Sequence, residues 1–198
     1  MSFPAVSRYC ASMEIAYLHL VTNHIPIIGL PFALAILIWG LWRNSDEVKT
    51  ASFLAFVLLG AATVGVFLLG QGGEDFVEDL QGVSHDAIEA HEKLATLALI
   101  SVLLVAAASL FALLRYRLLR GATPELSAVF PRWVVLLVLT LALGSSAVLG
   151  YAGRLGGKIR HPEFHGGQTA AAEAGDAENA NEEEKEGGTK QGRNRGGR

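Results

Sequence analysis

Four uncharged apolar runs, Ile25 to Trp42, Ala51 to Gly70, Leu94 to Leu114 and Trp133 to Tyr151, constrain this chain more than any other feature. Each is close to the roughly 20 residues that cross a ~30 Å hydrocarbon core as a helix. Lipid offers the backbone no hydrogen-bond partners, so these runs must satisfy their amides internally. The polar/apolar alternation that a barrel strand requires is absent from them. Four such runs in 198 residues leave no room for a sizeable soluble domain. The expected fold is all-α: a four-helix transmembrane bundle, up-down-up-down.

The flanks follow from composition. Residues 1–14 form an N-terminal segment whose one basic residue, Arg8, precedes an apolar stretch too long for a cleaved leader, so the first span is read as retained. Residues 15–166 form the transmembrane domain. Residues 167–198 are rich in Ala, Glu, Gly and Asn, with Glu182 to Glu184 followed by an Arg/Gly end. A stretch with so little to bury reads as a disordered, solvating tail, and no nucleic-acid partner is expected of it. Cys10 is the sole cysteine, which excludes an intramolecular disulfide and a thiolate cluster.

All six histidines fall at one end of the expected bundle. His19 and His24 precede or open the first run, His85 and His91 precede the third, and His161 and His165 follow the fourth. In an up-down-up-down arrangement these places share one membrane face. The opposite loops carry six cations (Arg43, Lys49, Arg115, Arg117, Arg120, Arg132) against five on the histidine side (Arg8, Lys93, Arg154, Lys158, Arg160). Cations near span ends favour the cytoplasm. The chain is therefore expected in the inner membrane, with both termini and the histidine face on the periplasmic or extracellular side.

Three polar segments border that face. Pro26 and Pro31 interrupt the backbone ladder near His24, which is expected to turn Thr22, Asn23 and His24 toward the bundle interior. The plainer alternative is that Asn23 caps a helix and His24 satisfies loosened backbone. Between the second and third runs lie Glu74, Asp75, Glu78, Asp79, Asp86, Glu89 and Glu92. There Phe76, Leu80 and Val83 recur at intervals of four and three, the pattern of a short amphipathic helix on the membrane surface, ended by Gly82. Ser84 would then cap the third long helix, with Ile88, His91, Ala95 and Ala98 along its inward stripe. After the fourth run, Gly156 and Gly157 would let the chain turn back as a lid bearing Arg160, His161 and Glu163. No strand precedes these glycines, so a dinucleotide loop is rejected.

Leu18 to Gly29 (LHLVTNHIPIIG), Gly73 to Glu78 (GEDFVE) with Gly82-Val83-Ser84, His91-Glu92, and Gly156 to Glu163 (GGKIRHPE) together resemble the motifs of a group of small bacterial four-helix membrane proteins classed under a domain of unknown function. The resemblance runs from Tyr17 to Phe164. It implies a membrane location and a prokaryotic source. It also marks Asn23, His24, Glu74, His91, Glu92, Arg160, His161 and Glu163 as the matching motif positions. It implies no biochemical activity.

Three function classes stand open. In the first, His24, His91 and His161 converge with a carboxylate from Glu92, Glu163 or Glu74 on a transition metal, since three imidazoles and a carboxylate suit zinc, copper or iron. In the second, two histidines from the first and third long helices are the axial ligands of haem b, with Arg154, Lys158 and Arg160 available to its propionates. In the third there is no cofactor, and the histidines and acids form a cap that senses pH or docks a membrane-complex partner. No nucleophile elbow, phosphate loop or cysteine pair is present. Any enzymatic reading would therefore rest on a bound metal or haem, and electron transfer to a redox partner is the simplest such role.

Overall fold

The computed structural model describes residues 3–78, 85–122 and 130–160. They form α1 (Phe3–Thr22), α2 (His24–Trp42), α3 (Asp46–Glu78), α4 (His85–Ala122) and α5 (Arg132–Arg160). Met1–Ile159 is one compact unit. Four stretches are long and apolar enough to cross a membrane: Cys10–Trp42, Asp46–Glu74, Ile88–Leu119 and Arg132–Gly157. The expected all-α, four-span membrane architecture is thus the one observed, and contact with a lipid bilayer follows from it.

The first span is longer than its apolar run. α1 and α2 join through Asn23, whose backbone stays helical (φ −61°, ψ −23°) and whose N–H still donates to the His19 carbonyl at 2.9 Å. Pro26 has no N–H to offer, so the ladder slackens at this point without a turn. Pro31 sits inside α2. The acidic segment also begins inside a helix, since Glu74 to Glu78 continue α3 without interruption. Its remainder, with Leu80, Gly82, Val83 and Ser84, lies outside the described residues.

Buried positions recur at alternating intervals of three and four on α2, through Pro26, Leu30, Ala33, Leu37 and Gly40, and on α5, through Val135, Val138, Ala142, Ser145, Leu149 and Ala152. This is the seam of a left-handed bundle, where ridges of one helix fit the grooves of its neighbour. α3 packs against α1, α2 and α4. α5 meets α2 where Ile27 lies against Gly153, and α4 where His91 lies against Gly156. Spans one and three therefore stand at opposite corners of the bundle. Leu58, Leu68, Leu104 and Leu143 face outward. A band of exposed leucines is stable in lipid and not in water.

The end remote from the histidines is closed by aromatic packing. Phe130, buried, meets Phe53 edge-on at 4.9 Å and stacks on Tyr116 at 4.6 Å. The α2–α3 connection there is a tight helix stop. Asn44 adopts the left-handed conformation (φ 48°), while the N–H groups of Asn44 and Ser45 return to the carbonyls of Leu41 (3.1 Å) and Gly40 (3.0 Å). Asparagine tolerates that conformation better than most residues, and the paired return bonds are those of a Schellman motif. Ser45 then opens α3, its hydroxyl accepting from the Val48 N–H at 3.3 Å. Ser45→Ala is expected to cost about 1 kcal/mol of stability, read as an earlier unfolding midpoint in detergent. An unchanged midpoint would show that the cap contributes nothing.

Exposed Trp39, Trp42 and Trp133 ring this end, and exposed Tyr17 and Tyr151 ring the other. Such aromatic belts settle at the two membrane–water boundaries. Eighteen residues separate Trp133 from Tyr151, about 27 Å of helix at 1.5 Å per residue. That matches the ~30 Å hydrocarbon core.

Candidate functional site

The three-and-four stripe of α2, followed back through Pro26, reaches Asn23 and then His19. The stripe of α4, followed back from Val102 through Ala98 and Ala95 to Ile88, contains His91. Each of the two odd-numbered spans thus places one histidine on its inward face, close to the tyrosine belt. On the even-numbered spans the stripe residues at this level are glycine or alanine: Gly70 and Gly73 on α3, Ala152 and Gly156 on α5.

The two histidines are seated in the same way. His19 Nδ1 lies 2.9 Å from the Val66 carbonyl oxygen, and the ring rests over Gly70, where a Cβ would come within 2.9 Å of Cε1. His91 Nδ1 lies 3.1 Å from the Ala152 carbonyl oxygen, and its ring rests over Gly156, where a Cβ would come within 3.0 Å of Cε1. In both seats the glycine is four residues beyond the carbonyl. The reason is geometric: helical side chains tilt toward the N-terminus, so residue i+4 ordinarily covers the carbonyl of residue i. Glycine leaves it uncovered, and the oxygen's second lone pair accepts a bond from outside the helix.

This geometry assigns the protons. A carbonyl oxygen only accepts, so both Nδ1 atoms must donate, and in the neutral ring Nε2 then carries the free electron pair. Among the described residues neither Nε2 has a hydrogen-bond partner. The imidazoles belong to spans at opposite corners of the bundle, His19 seated on α3 and His91 on α5. Beside them Gln71 Nε2 donates to Glu92 Oε1 at 3.3 Å, linking α3 to α4 one residue beyond Gly70 and His91. Asn23 Oδ1, one turn from His19, is enclosed without a partner.

Of the residues expected to form a site, His91 stands inward and half-buried, while Glu92 bonds to Gln71. His24 is exposed, because it follows Asn23 by one residue and a helix turns through 100° at each step. His161 and Glu163 lie outside the described residues, and nothing is described of the His85, Lys158 and Arg160 side chains. Among the described residues no group of three or more His, Cys, Asp or Glu side chains is placed to hold a metal ion. The turn expected at Gly156 and Gly157 is corrected by the structure, since α5 continues through both glycines to Arg160, while the rest of the expected lid, with His161 and Glu163, lies outside the described residues. Near the hydrocarbon boundary a helix break would leave amides unsatisfied, and Gly156 serves to seat His91.

His19 and the seat glycines were missed by reasoning from motifs. The available signal was the register of the stripe, because His19 continues the inward face on which His24 does not fall. Gly70→Ala and Gly156→Ala should each push an imidazole off its carbonyl; for an imidazole that serves as a metal ligand, the usual cost of losing such an anchor is roughly 10- to 100-fold in affinity. Gly150→Ala, where a Cβ would meet nothing within 4 Å, should leave both rings seated. Unchanged imidazole ring 15N shifts in Gly70→Ala and Gly156→Ala, as in Gly150→Ala, would show that the glycines do not seat the rings.

No family model matches the chain, and neither the curated proteins nor the solved structures include a significant match to it.

Proposed function

We propose that this membrane protein is a haem b electron carrier with His19 and His91 as the axial ligands. The observation that carries this reading is the pair of identically anchored imidazoles, on opposed spans, whose Nε2 atoms have no hydrogen-bond partner among the described residues. Two imidazoles would be enough to hold the iron of a haem. A tetrahedral zinc site would need three or four protein ligands. Bound haem supplies reversible one-electron chemistry. His19 and His91 would hold it, and their Nδ1–H to carbonyl bonds would make both imidazoles stronger donors, which would favour the oxidised iron.

Purified in mild detergent from cells supplied with haem precursor, the protein should carry a Soret band with a low-spin ferric spectrum. Hemin added to the colourless form should saturate at one per chain. Hemin uptake that never saturates, with the same spectrum in the His19→Ala/His91→Ala double variant, overturns the proposal. Zinc, copper or iron found without pigment would instead favour the mononuclear centre of His24, His91, Glu92, His161 and Glu163. A protein with neither would leave the cofactor-free cap. Kinship with the small bacterial four-helix group and an inner-membrane location with the histidine face outside the cytoplasm belong to the same proposal. Reporter fusions after Phe164 and within Arg117 to Glu125 test the orientation, and should report opposite sides.

A further inference from the structure

We infer that this protein exchanges electrons on its histidine-bearing face alone, so that both its electron donor and its electron acceptor are one-electron partners approaching from that side. The inference rests on the haem reading of His19 and His91 and adds the sidedness of the reaction. His19 is two residues from Tyr17, and the Ala152 carbonyl that anchors His91 is one residue from Tyr151; both tyrosines are exposed members of the same aromatic belt. The site therefore lies level with one membrane boundary. Along α5 the other boundary, at Trp133, is about 27 Å of helix away.

Nothing in the chain spans that gap as a relay. No histidine occurs from Ile25 to Ser84 or from Glu92 to Arg160, the sole cysteine is Cys10, and the two methionines are Met1 and Met13. In sequence, every imidazole and sulfur thus lies outside the stretches from Ile25 to Ser84 and from Glu92 to Arg160. The seam between the site and the tryptophan belt is made of Leu30, Leu37, Phe53, Phe56, Val102, Val105, Val138 and small hydroxyl residues, none of which carries an electron. A protein that conducted electrons across the bilayer would need a second centre in that half.

The holoprotein, reconstituted into phosphatidylcholine vesicles with ferricyanide trapped inside and dithionite added outside, decides the point. The expected result has two parts. External dithionite should reduce haem only in molecules whose N-terminal tag is cut by external protease, and permeabilisation with detergent should release the rest. Trapped ferricyanide should bleach no faster than in protein-free vesicles, within about twofold. Bleaching that rises in proportion to protein, or rapid reduction of all the haem in sealed vesicles, overturns one-sided exchange. A colourless preparation is recognised before any vesicle is made and removes the haem reading, and this inference with it.

Discussion

Alanine at His19 or at His91 is expected to lower haem content at least tenfold, and the double replacement should be no worse than either single one. Two axial ligands act as a unit, so losing either removes the low-spin centre and the effects do not add. Each substitution also frees a backbone carbonyl, Val66 or Ala152, whose helical bond remains to satisfy it. Loss of the cofactor should therefore exceed loss of fold. Haem per chain from the reduced-minus-oxidised spectrum, with circular dichroism as the check on folding, reads both. His24→Ala should retain its haem, because that side chain is exposed. A His24→Ala protein that loses its cofactor while His19→Ala keeps it would reverse the ligand assignment.

The largest stability effect is expected from Gly73→Ala. A Cβ there would lie 2.8 Å from the Ala16 Cα and 2.9 Å from its nitrogen. Backbone cannot rotate away as a side chain can, so α1 would have to lift off α3. The intrinsic helix preference of alanine over glycine opposes this by about 1 kcal/mol. Overpacking costs roughly 1–3 kcal/mol, and with backbone as the obstacle the upper part of that range applies. The net expectation is a loss of about 1–2 kcal/mol. It should be seen as an earlier unfolding midpoint and as easier proteolysis within α1. Gly144→Ala, open on all sides, should be neutral or slightly stabilising. If both variants shift in the same direction, close helix approach is not what Gly73 provides.

The two predictions separate levels of the structure that the sequence reveals unequally. Span number and helical character were legible because they depend on hydrophobicity summed over a window of about 20 residues, which tertiary context does not alter. The inward phase of α4 was legible for a related reason: Ile88, His91, Ala95 and Ala98 repeat within one helix, and helical geometry alone puts them on one face. His19 was harder to read, since its face shows only when α1 and α2 are taken as one continuous helix through Asn23. The prolines argued for a break at that point. The structure keeps the Asn23 to His19 hydrogen bond, so the register carries through.

What the sequence alone determined, then, is a four-span helical membrane protein whose histidines all flank the apolar runs, because hydrophobic length and residue order are local properties of the chain. Only the tertiary structure decided which two histidines are seated on a carbonyl of a neighbouring helix, and in which tautomer. Val66 and Gly70 are 47 and 51 residues from His19, and Ala152 and Gly156 are 61 and 65 residues from His91. No local pattern reports contacts at those separations. They arise when two helices come close enough for an imidazole to reach a carbonyl through the gap that a missing Cβ leaves.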